Sequence, residues 1–394
     1  MNSIFTIEGV KKTIVGAGAV QEVGEACRAV KASKALLVVD KDLSKMDICA
    51  RVQDGLRKGR IKAVLYPEVT PEPAPAVADA GAALARNEKV GCIVAVGGGS
   101  TMDVGKAIAV LVKNEGKAVD YIGLGLVKNP GLPTIMVPTT AGTGSEVTFT
   151  AVFTMRETKK KGGINSPFLY PHTAILDPGL TLQLPPQVTA TTGMDALTHA
   201  IESFTSLQAH FMSETISLSA IELISDNLRG AVFNGTDYPC RENMMQASYM
   251  AGLGLAMSGV GAVHALAYPL GANFGIPHGM ANAVMLPYVL AYNYPGNIGK
   301  FSQVAFAMGE EEDGSGERAL AASSSKAVFD LAGDIGIPRT LKDLDVPEEA
   351  IPEMSVAAMK VERPILNNPR TMSVKIAEDI YRNAFHGSRS VNGF

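Results

Sequence analysis

Asp195 and His199 stand four residues apart, and His264 and His278 follow downstream, so one chain offers a carboxylate and three imidazoles to a single divalent cation. A helix turns about 100° per residue, so positions i and i+4 share a face and an Asp–His pair at this spacing grips one ion. The other two ligands must come from segments folded back over that helix. His264 lies in an apolar stretch, residues 259–267, and His278 sits between Pro277 and Gly279 in what reads as a turn. Imidazoles in such surroundings need a polar partner. Taken singly, each reads as a hydrogen-bonded core histidine. The chain has only six His, however, and three of them share one hydrophobic section with an Asp at helical spacing, which favours a common ion. His172, His210 and His386 lack such company and read as surface or structural.

A second kind of chemistry is written in glycines. Gly97-Gly98-Gly99-Ser100 follows an apolar strand and leads into Asp103-Val104-Gly105-Lys106, where a helix is expected to begin. Glycines let backbone turn tightly against a phosphate, and free amides at a helix N-terminus stabilise the anion. The run is not Gly-x-Gly-x-x-Gly, and such turns also occur for steric reasons alone. The loop Thr139-Thr140-Ala141-Gly142-Thr143-Gly144-Ser145-Glu146-Val147-Thr148, dense in small hydroxyls after another strand, favours the ligand reading, because open α/β sheets bind at the carboxyl ends of their strands. Asp40 ends the first clear apolar strand. A carboxylate there accepts hydrogen bonds from ribose hydroxyls and repels a 2′-phosphate, favouring NAD over NADP, although the same residue also reads as a turn former or cap. Gly16-Ala17-Gly18 lacks a third glycine, and Gly259-Val260-Gly261 has no strand before it; neither reads as a nucleotide loop.

The elements that must position these residues fall into two halves. Up to about residue 185, apolar β-branched runs (Ala35-Leu36-Leu37-Val38-Val39, Ala63-Val64-Leu65-Tyr66, Ile93-Val94-Ala95-Val96, Thr134-Ile135-Met136-Val137) alternate with amphipathic stretches. Near-continuous apolar strands separated by helices predict a doubly wound parallel sheet covered on both faces, an α/β dinucleotide-binding domain over residues 1–185. Beyond Leu184-Pro185-Pro186-Gln187, segments such as 213–228 and 242–257 repeat apolar residues every three or four positions, predicting an all-helical domain over residues 186–394. The double proline marks the boundary. Residues 310–325 read as an exposed acidic and Ser-rich connection. No internal repeat or low-complexity tract is visible.

At 394 residues and 46% hydrophobic content the chain is long enough for two cores. A net charge of −4 without a long Lys/Arg run gives no electrostatic footprint for nucleic acid or an anionic membrane. Cys27, Cys49, Cys92 and Cys240 are scattered with no Cys-x-x-Cys pair, so neither a thiolate metal site nor a disulfide framework is indicated, and a reduced, cytoplasmic setting is expected. Residues 1–12 lack the basic start and apolar run of a signal peptide, and no apolar run reaches membrane-spanning length. Seventeen Met against no Trp carries no functional reading.

Gly97-Gly98-Gly99-Ser100-x-x-Asp103-x-x-Lys106, the 139–148 loop, Asp195-Ala196-Leu197-x-His199-Ala200-x-Glu202 and Pro277-His278-Gly279-x-Ala281-Asn282-Ala283 together resemble the iron-containing (group III) alcohol dehydrogenases over nearly the whole chain. The resemblance implies an N-terminal dinucleotide-binding domain, a helical metal-binding domain and a cleft between them. It implies Asp195, His199, His264 and His278 as metal ligands. It also implies Asp40, Gly97, Gly98, Ser100, Asp103, Thr139, Thr140, Thr143 and Thr148 as cofactor contacts, with Lys161 and Leu180 near the cofactor through looser matches. A homodimer is expected on the same ground.

One departure stands out. Lactaldehyde reductases of the family carry a second His four residues after the third ligand, where this chain has Tyr268. A phenol donates a hydrogen bond yet titrates near 10, so it does not shuttle protons near neutrality as imidazole does. Either proton transfer here runs through water and ribose hydroxyls, or Tyr268 shapes the pocket for a different substrate, or it simply packs beside Pro269. The chemistry expected is reversible hydride transfer between a small alcohol or aldehyde and NAD(H). One carboxylate and three neutral imidazoles suit Fe²⁺ or Zn²⁺, and the resemblance puts Fe²⁺ first. The alternative is a metal-dependent lyase resembling 3-dehydroquinate synthase, which uses NAD only transiently and needs a basic cluster for a phosphorylated substrate.

Overall fold

Near-continuous apolar strands build a six-stranded, wholly parallel sheet whose strands lie, across the sheet, in the order of residues 12–15, 173–176, 134–138, 92–97, 34–40 and 62–69. The computed structural model describes residues 4–155 and 160–388, so the first three residues of the N-terminal segment lie outside the described residues. The strands are β1 (Lys12–Val15), β2 (Lys34–Asp40), β3 (Lys62–Val69), β4 (Cys92–Gly97), β6 (Thr134–Pro138) and β9 (Thr173–Leu176). Interleaved helices are α1 (Val23–Ala29), α2 (Asp47–Lys58), α3 (Pro75–Asn87) and α4 (Gly99–Leu111).

Period-two alternation splits the strand residues between two cores. Ala35, Leu37, Val94, Val96, Ile135 and Val137 pack with α1 and α2 on one face. Leu36, Val38, Ile93, Ala95 and Met136 pack with α3 and α4 on the other. Both faces are covered, which is why the strands read as apolar throughout. The chain runs outward from β2 to β3 and then returns to place β4 on the other side of β2, so the order reverses between β2 and β4. Crevices at such a reversal, beyond the carboxyl ends of the strands, are where doubly wound sheets bind ligands.

Two features of this half differ from expectation. A second, three-stranded sheet joins β5 (Gly123–Leu124), β8 (Lys160–Asn165) and β7 (Thr150–Met155), with β7 and β8 antiparallel. Helix α4 starts at Gly99 rather than at Asp103: Gly98 is its N-cap, and Thr101 and Met102 already donate to Gly98 O. Gly98 and Gly99 thus cap and open the helix, and Asp103 lies on its second turn.

The compact unit beginning at Gln183 is helical among the described residues. It comprises α5 (Pro186–Thr205), α6 (Phe211–Phe233), α7 (Tyr238–Ser258), α8 (Ala262–Phe274), α9 (His278–Asn293), α10 (Ile298–Ala307), α11 (Glu317–Asp334), α12 (Ile351–Ala358), α13 (Glu362–Asn367) and α14 (Val374–His386). Pro186 occupies the first position of α5, where a missing N–H costs nothing. Helix α5 packs against α6, α7 and α9, and α8 packs against α9. Both α5 and α9 are buried nearly all round, and buried threonines on α5 return their hydroxyls to carbonyls one turn back: Thr198 to Met194 and Thr205 to Ile201.

The reading of residues 310–325 as an exposed connection is corrected at its C-terminal end, because α11 begins at Glu317 and Ser324 and Ser325 are buried. Ser324 donates to Ala321 O and Ser325 to Pro287 O, which lets hydroxyls enter a helical core without orphaned polar groups. No single helix among the described residues is long and apolar enough to cross a membrane.

Candidate metal centre and nucleotide loops

Asp195 and His199 occupy one face of α5, as their spacing requires, with His199 Nε2 4.0 Å from Asp195 Oδ1. His264 is the third residue of α8, and His278, expected in a turn, is the first residue of α9. Its Nε2 lies 3.8 Å from Asp195 Oδ1. The His264 ring stacks on His199 at 4.9 Å between centroids and meets His278 at 5.2 Å. One ligand atom from each of the four residues falls within 4.8 Å of the others. Asp195, His199 and His264 are at most 4% exposed, whereas the His278 side chain is 35% exposed and opens the cluster on one side. Burial alone would raise the Asp195 carboxyl, but the three imidazoles and the Asn282 amide together hold it below the usual carboxylate range.

Two residues without an assigned role in the sequence reading complete this cluster. Asn282, one turn after His278 on α9, donates through Nδ2 to Asp195 Oδ1 at 2.7 Å and stands 3.2 Å from both His264 Nε2 and His278 Nε2. Its two N–H hydrogens cannot serve three acceptors, and its own Oδ1 is buried without a hydrogen-bond partner. A buried surplus of acceptor atoms, one carboxylate and three imidazoles, suits a divalent cation. Glu202, one turn after His199 on α5, accepts from Val263 N at 2.6 Å and lies 2.6 Å from His264 Nδ1. Their spacings, His199 to Glu202 and His278 to Asn282, are the helical i,i+3 and i,i+4 signals that could have marked them.

Gly259-Val260-Gly261, set aside as a nucleotide loop, has a structural task at this centre. Gly261 is the N-cap of α8, and a Cβ there would stand 3.1 Å from Glu202 Oε1 and 3.3 Å from Asn368 Oδ1. Those two oxygens accept from Val263 N and Ala262 N, the first amides of α8. Tyr268, one turn after His264, is half-buried with its ring 6.0 Å from that of His278. Burial, with Glu202 and Asp195 nearby, pushes its phenol up to about 12.

In the α/β unit, Val39 pairs with Val96 and Gly97 with Pro138. Asp40, the Gly97–Ser100 turn and the 139–148 loop therefore leave the ends of three adjacent parallel strands at the reversal point. Gly99 and Ser100 precede the first internal hydrogen bond of α4, so their amides are available to an anion. A Cβ on Gly97 would stand 2.6 Å from Thr101 Oγ1, and one on Gly99 2.9 Å from Thr143 Cγ2. Thr140 Oγ1 is buried without a partner, an orphan that a bound ligand would satisfy.

The other expected contacts have partners inside the protein. Asp40 Oδ1 accepts from Asp42 N and Leu43 N, so the turn-forming reading holds for that oxygen. Asp103 accepts from Ser145 Oγ at 2.6 Å and Val152 N at 2.9 Å and pairs with the fully buried Lys106 at 3.0 Å. Lys106 in turn donates to Ser145 O, Thr148 Oγ1 and Thr150 O. Thr139 N donates to Gly97 O, and Thr143 Oγ1 accepts from Ser145 N. Lys161 pairs with Glu72 at 2.6 Å, and Leu180 is buried in the core beside α2. His172 contacts the Thr173 hydroxyl and His386 pairs with Glu348, both outside the cluster.

The chain belongs to the iron-containing alcohol dehydrogenase family: residues 11–178 match the iron-containing alcohol dehydrogenase model and residues 189–385 the C-terminal model of the same family. It is an oxidoreductase that interconverts alcohols and aldehydes. Among its relatives is the 1,3-propanediol dehydrogenase of Citrobacter freundii, 41% identical over 372 residues, 94% of this chain and 96% of that protein. A crystal structure of 1,3-propanediol oxidoreductase superposes with a TM-score of 0.95 at 39% identity, over 97% of this chain and all of that one. A sulfoacetaldehyde reductase from Bifidobacterium kashiwanohense, solved with NAD⁺, superposes with a TM-score of 0.88 at 31% identity, over 97% of this chain and 99% of that one. These relatives are named as alcohol or aldehyde oxidoreductases, which sets the lyase alternative aside.

Proposed function

We propose that the chain holds one divalent ion, Fe²⁺ first and Zn²⁺ as the alternative, on Asp195, His199, His264 and His278, and uses NAD(H) to interconvert a small alcohol and its aldehyde. The observation that carries this reading is the convergence of four ligand atoms within 4.8 Å from three helices. When bound, such a cation polarises the substrate oxygen, while NAD carries the hydride.

The protein's own groups do the rest. Asp195 supplies the one anionic ligand, and Asn282 fixes its Oδ1. The Gly99 and Ser100 amides, at the positive end of α4, would hold the pyrophosphate, with the Thr140 hydroxyl as a further donor and Gly97 and Gly98 allowing close approach. Asp40 would use its remaining oxygen for the adenosine ribose and repel a 2′-phosphate. Thr139, Thr143 and Thr148 shape the second loop, and Asp103 acts with Lys106 from beneath to brace it. Tyr268 stays neutral at working pH and offers a hydrogen bond to the substrate side of the pocket rather than carrying protons. The homodimer implied by the resemblance belongs to the same proposal.

The test is direct. His264→Ala and His278→Ala should lose bound metal and NADH-dependent aldehyde reduction together, and turnover retained in a metal-free variant would overturn the reading. The same NADH-consumption assay, run over short, long, aromatic and acidic aldehydes, identifies the substrate class.

A further inference from the structure

We infer that Glu202 is a positioning residue that sets the tautomer of His264, keeping Nδ1 protonated so that Nε2 presents a bare lone pair to the metal. The inference rests on the metal-site reading above. Glu202 is buried, and its two oxygens have separate tasks. Oε1 accepts from the backbone amide of Val263 at 2.6 Å, while Oε2 faces His264 Nδ1 at 2.6 Å.

The first contact fixes which oxygen faces the ring. A backbone amide can only donate, so Oε1 is an acceptor and the Glu202 side chain cannot turn over without losing it. With Glu202 as the ionised carboxylate, Oε2 accepts as well and the proton between Glu202 and His264 lies on Nδ1. The other ring nitrogen, Nε2, faces the interior of the cluster, 3.2 Å from Asn282 Nδ2. A neutral imidazole has one bare nitrogen, and here that nitrogen is the ligand atom.

The rest of the local structure serves this alignment. Glu202 lies on α5, which also carries Asp195 and His199, so one helix provides two ligands and orients a third. Capping of the first amides of α8 by Glu202 and Asn368, beside Gly261, where a Cβ would crowd both oxygens, fixes the helix start two residues before His264.

Glu202→Gln separates orientation from packing, because it has the same shape and can keep the Val263 contact through Oε1. Its amide nitrogen would then face His264 Nδ1 and donate to it, moving the ring proton to Nε2 and blocking the ligand atom. Two readouts apply: ring ¹⁵N spectra of the metal-free protein at mildly alkaline pH, assigned with His264→Ala, and Zn²⁺ affinity by chelator competition. Metal-free wild type should show Nδ1 protonated and Nε2 bare. Glu202→Gln should reverse this and weaken Zn²⁺ binding about 10–100-fold, the range for lost partners of metal ligands, with its circular dichroism unchanged. Asn368→Ala, which removes the Ala262 contact together with the bonds to Asn293 and Arg370 O but touches neither Glu202 nor His264, should lower thermal stability and leave the tautomer alone.

A proton on Nε2 in metal-free wild type would overturn the inference even if Glu202→Gln failed to fold. So would unchanged Zn²⁺ affinity in Glu202→Gln when His264→Ala loses it, and in that case the metal site itself would stand. Unchanged affinity in His264→Ala would instead remove the metal-site reading, and this inference with it.

Discussion

The nucleotide loops and the metal cluster position their chemistry by opposite means. At the ends of β2, β4 and β6 the groups on offer to a ligand are mostly backbone amides and short hydroxyls, and precision comes from strand register and from glycines that admit no Cβ. In the helical unit the groups are side chains from α5, α8 and α9, and precision comes from a buried ring of partners, Asn282, Glu202 and Asn368, that bond to ligands or to helix ends. A loop built of backbone tolerates side-chain changes that respect its volume. A cluster built of side chains tolerates changes of volume poorly and changes of hydrogen-bond polarity worse.

The two modes should fail separately. His199→Ala should reduce turnover by about 1,000-fold or more, since several kcal/mol of charge stabilisation leave with the metal, while NADH binding measured by fluorescence titration stays near wild type. Gly99→Val should do the reverse. Its side chain would enter the Thr143 methyl and the amide cradle, weakening NADH binding about 10–100-fold as overpacking of 1–3 kcal/mol predicts, with metal content by elemental analysis unchanged. If either substitution disturbs both ligands equally, the contrast between the two sites is wrong.

Smaller effects refine the loop side. Asp40→Asn keeps an acceptor for Asp42 N and Leu43 N but removes the charge that repels a 2′-phosphate. The ratio of NADH to NADPH affinity should fall roughly tenfold, the scale of one charged hydrogen bond. An unchanged ratio would leave Asp40 as a turn former only. Glu146, buried within the second loop, has its carboxyl pushed up to about 7 from 4.5 by burial. A raised carboxyl favours the folded state at low pH and withdraws that contribution as pH climbs through its folded value. Wild-type melting temperature should therefore drop between about pH 5 and pH 8, and Glu146→Gln should flatten that slope and melt higher at pH 8.

How much was legible in the chain follows the same division. The quartet Asp195, His199, His264 and His278 could be read because two members share a helix face and histidines are scarce here. The sheet could be read because both faces are buried and the strands are apolar throughout. The start of α4 was misplaced because a glycine run looks like a loop until the amides of Thr101 and Met102 are seen to bond to Gly98. Residues 323–325 read as loop because serines are poor helix formers, and only their bonds to Leu320, Ala321 and Pro287 show how the helix accommodates them. Glu202 and Asn282 lay inside quoted motifs at helical spacing from a ligand, but their bonds to Val263, His264 and Asp195 cross between elements, and such pairing leaves no local periodicity. Asp40 carried two readings, turn former and ribose contact. Its Oδ1 shows the first, and the second is left to the cofactor assay.

The most direct measurement couples metal content to rate in one sample. Protein stripped with a chelator and titrated with Fe²⁺, or separately with Zn²⁺, should regain NADH-dependent aldehyde reduction in proportion to bound metal and saturate at about one ion per chain, as four ligands around one centre require. Full turnover by protein verified to be free of metal would contradict it.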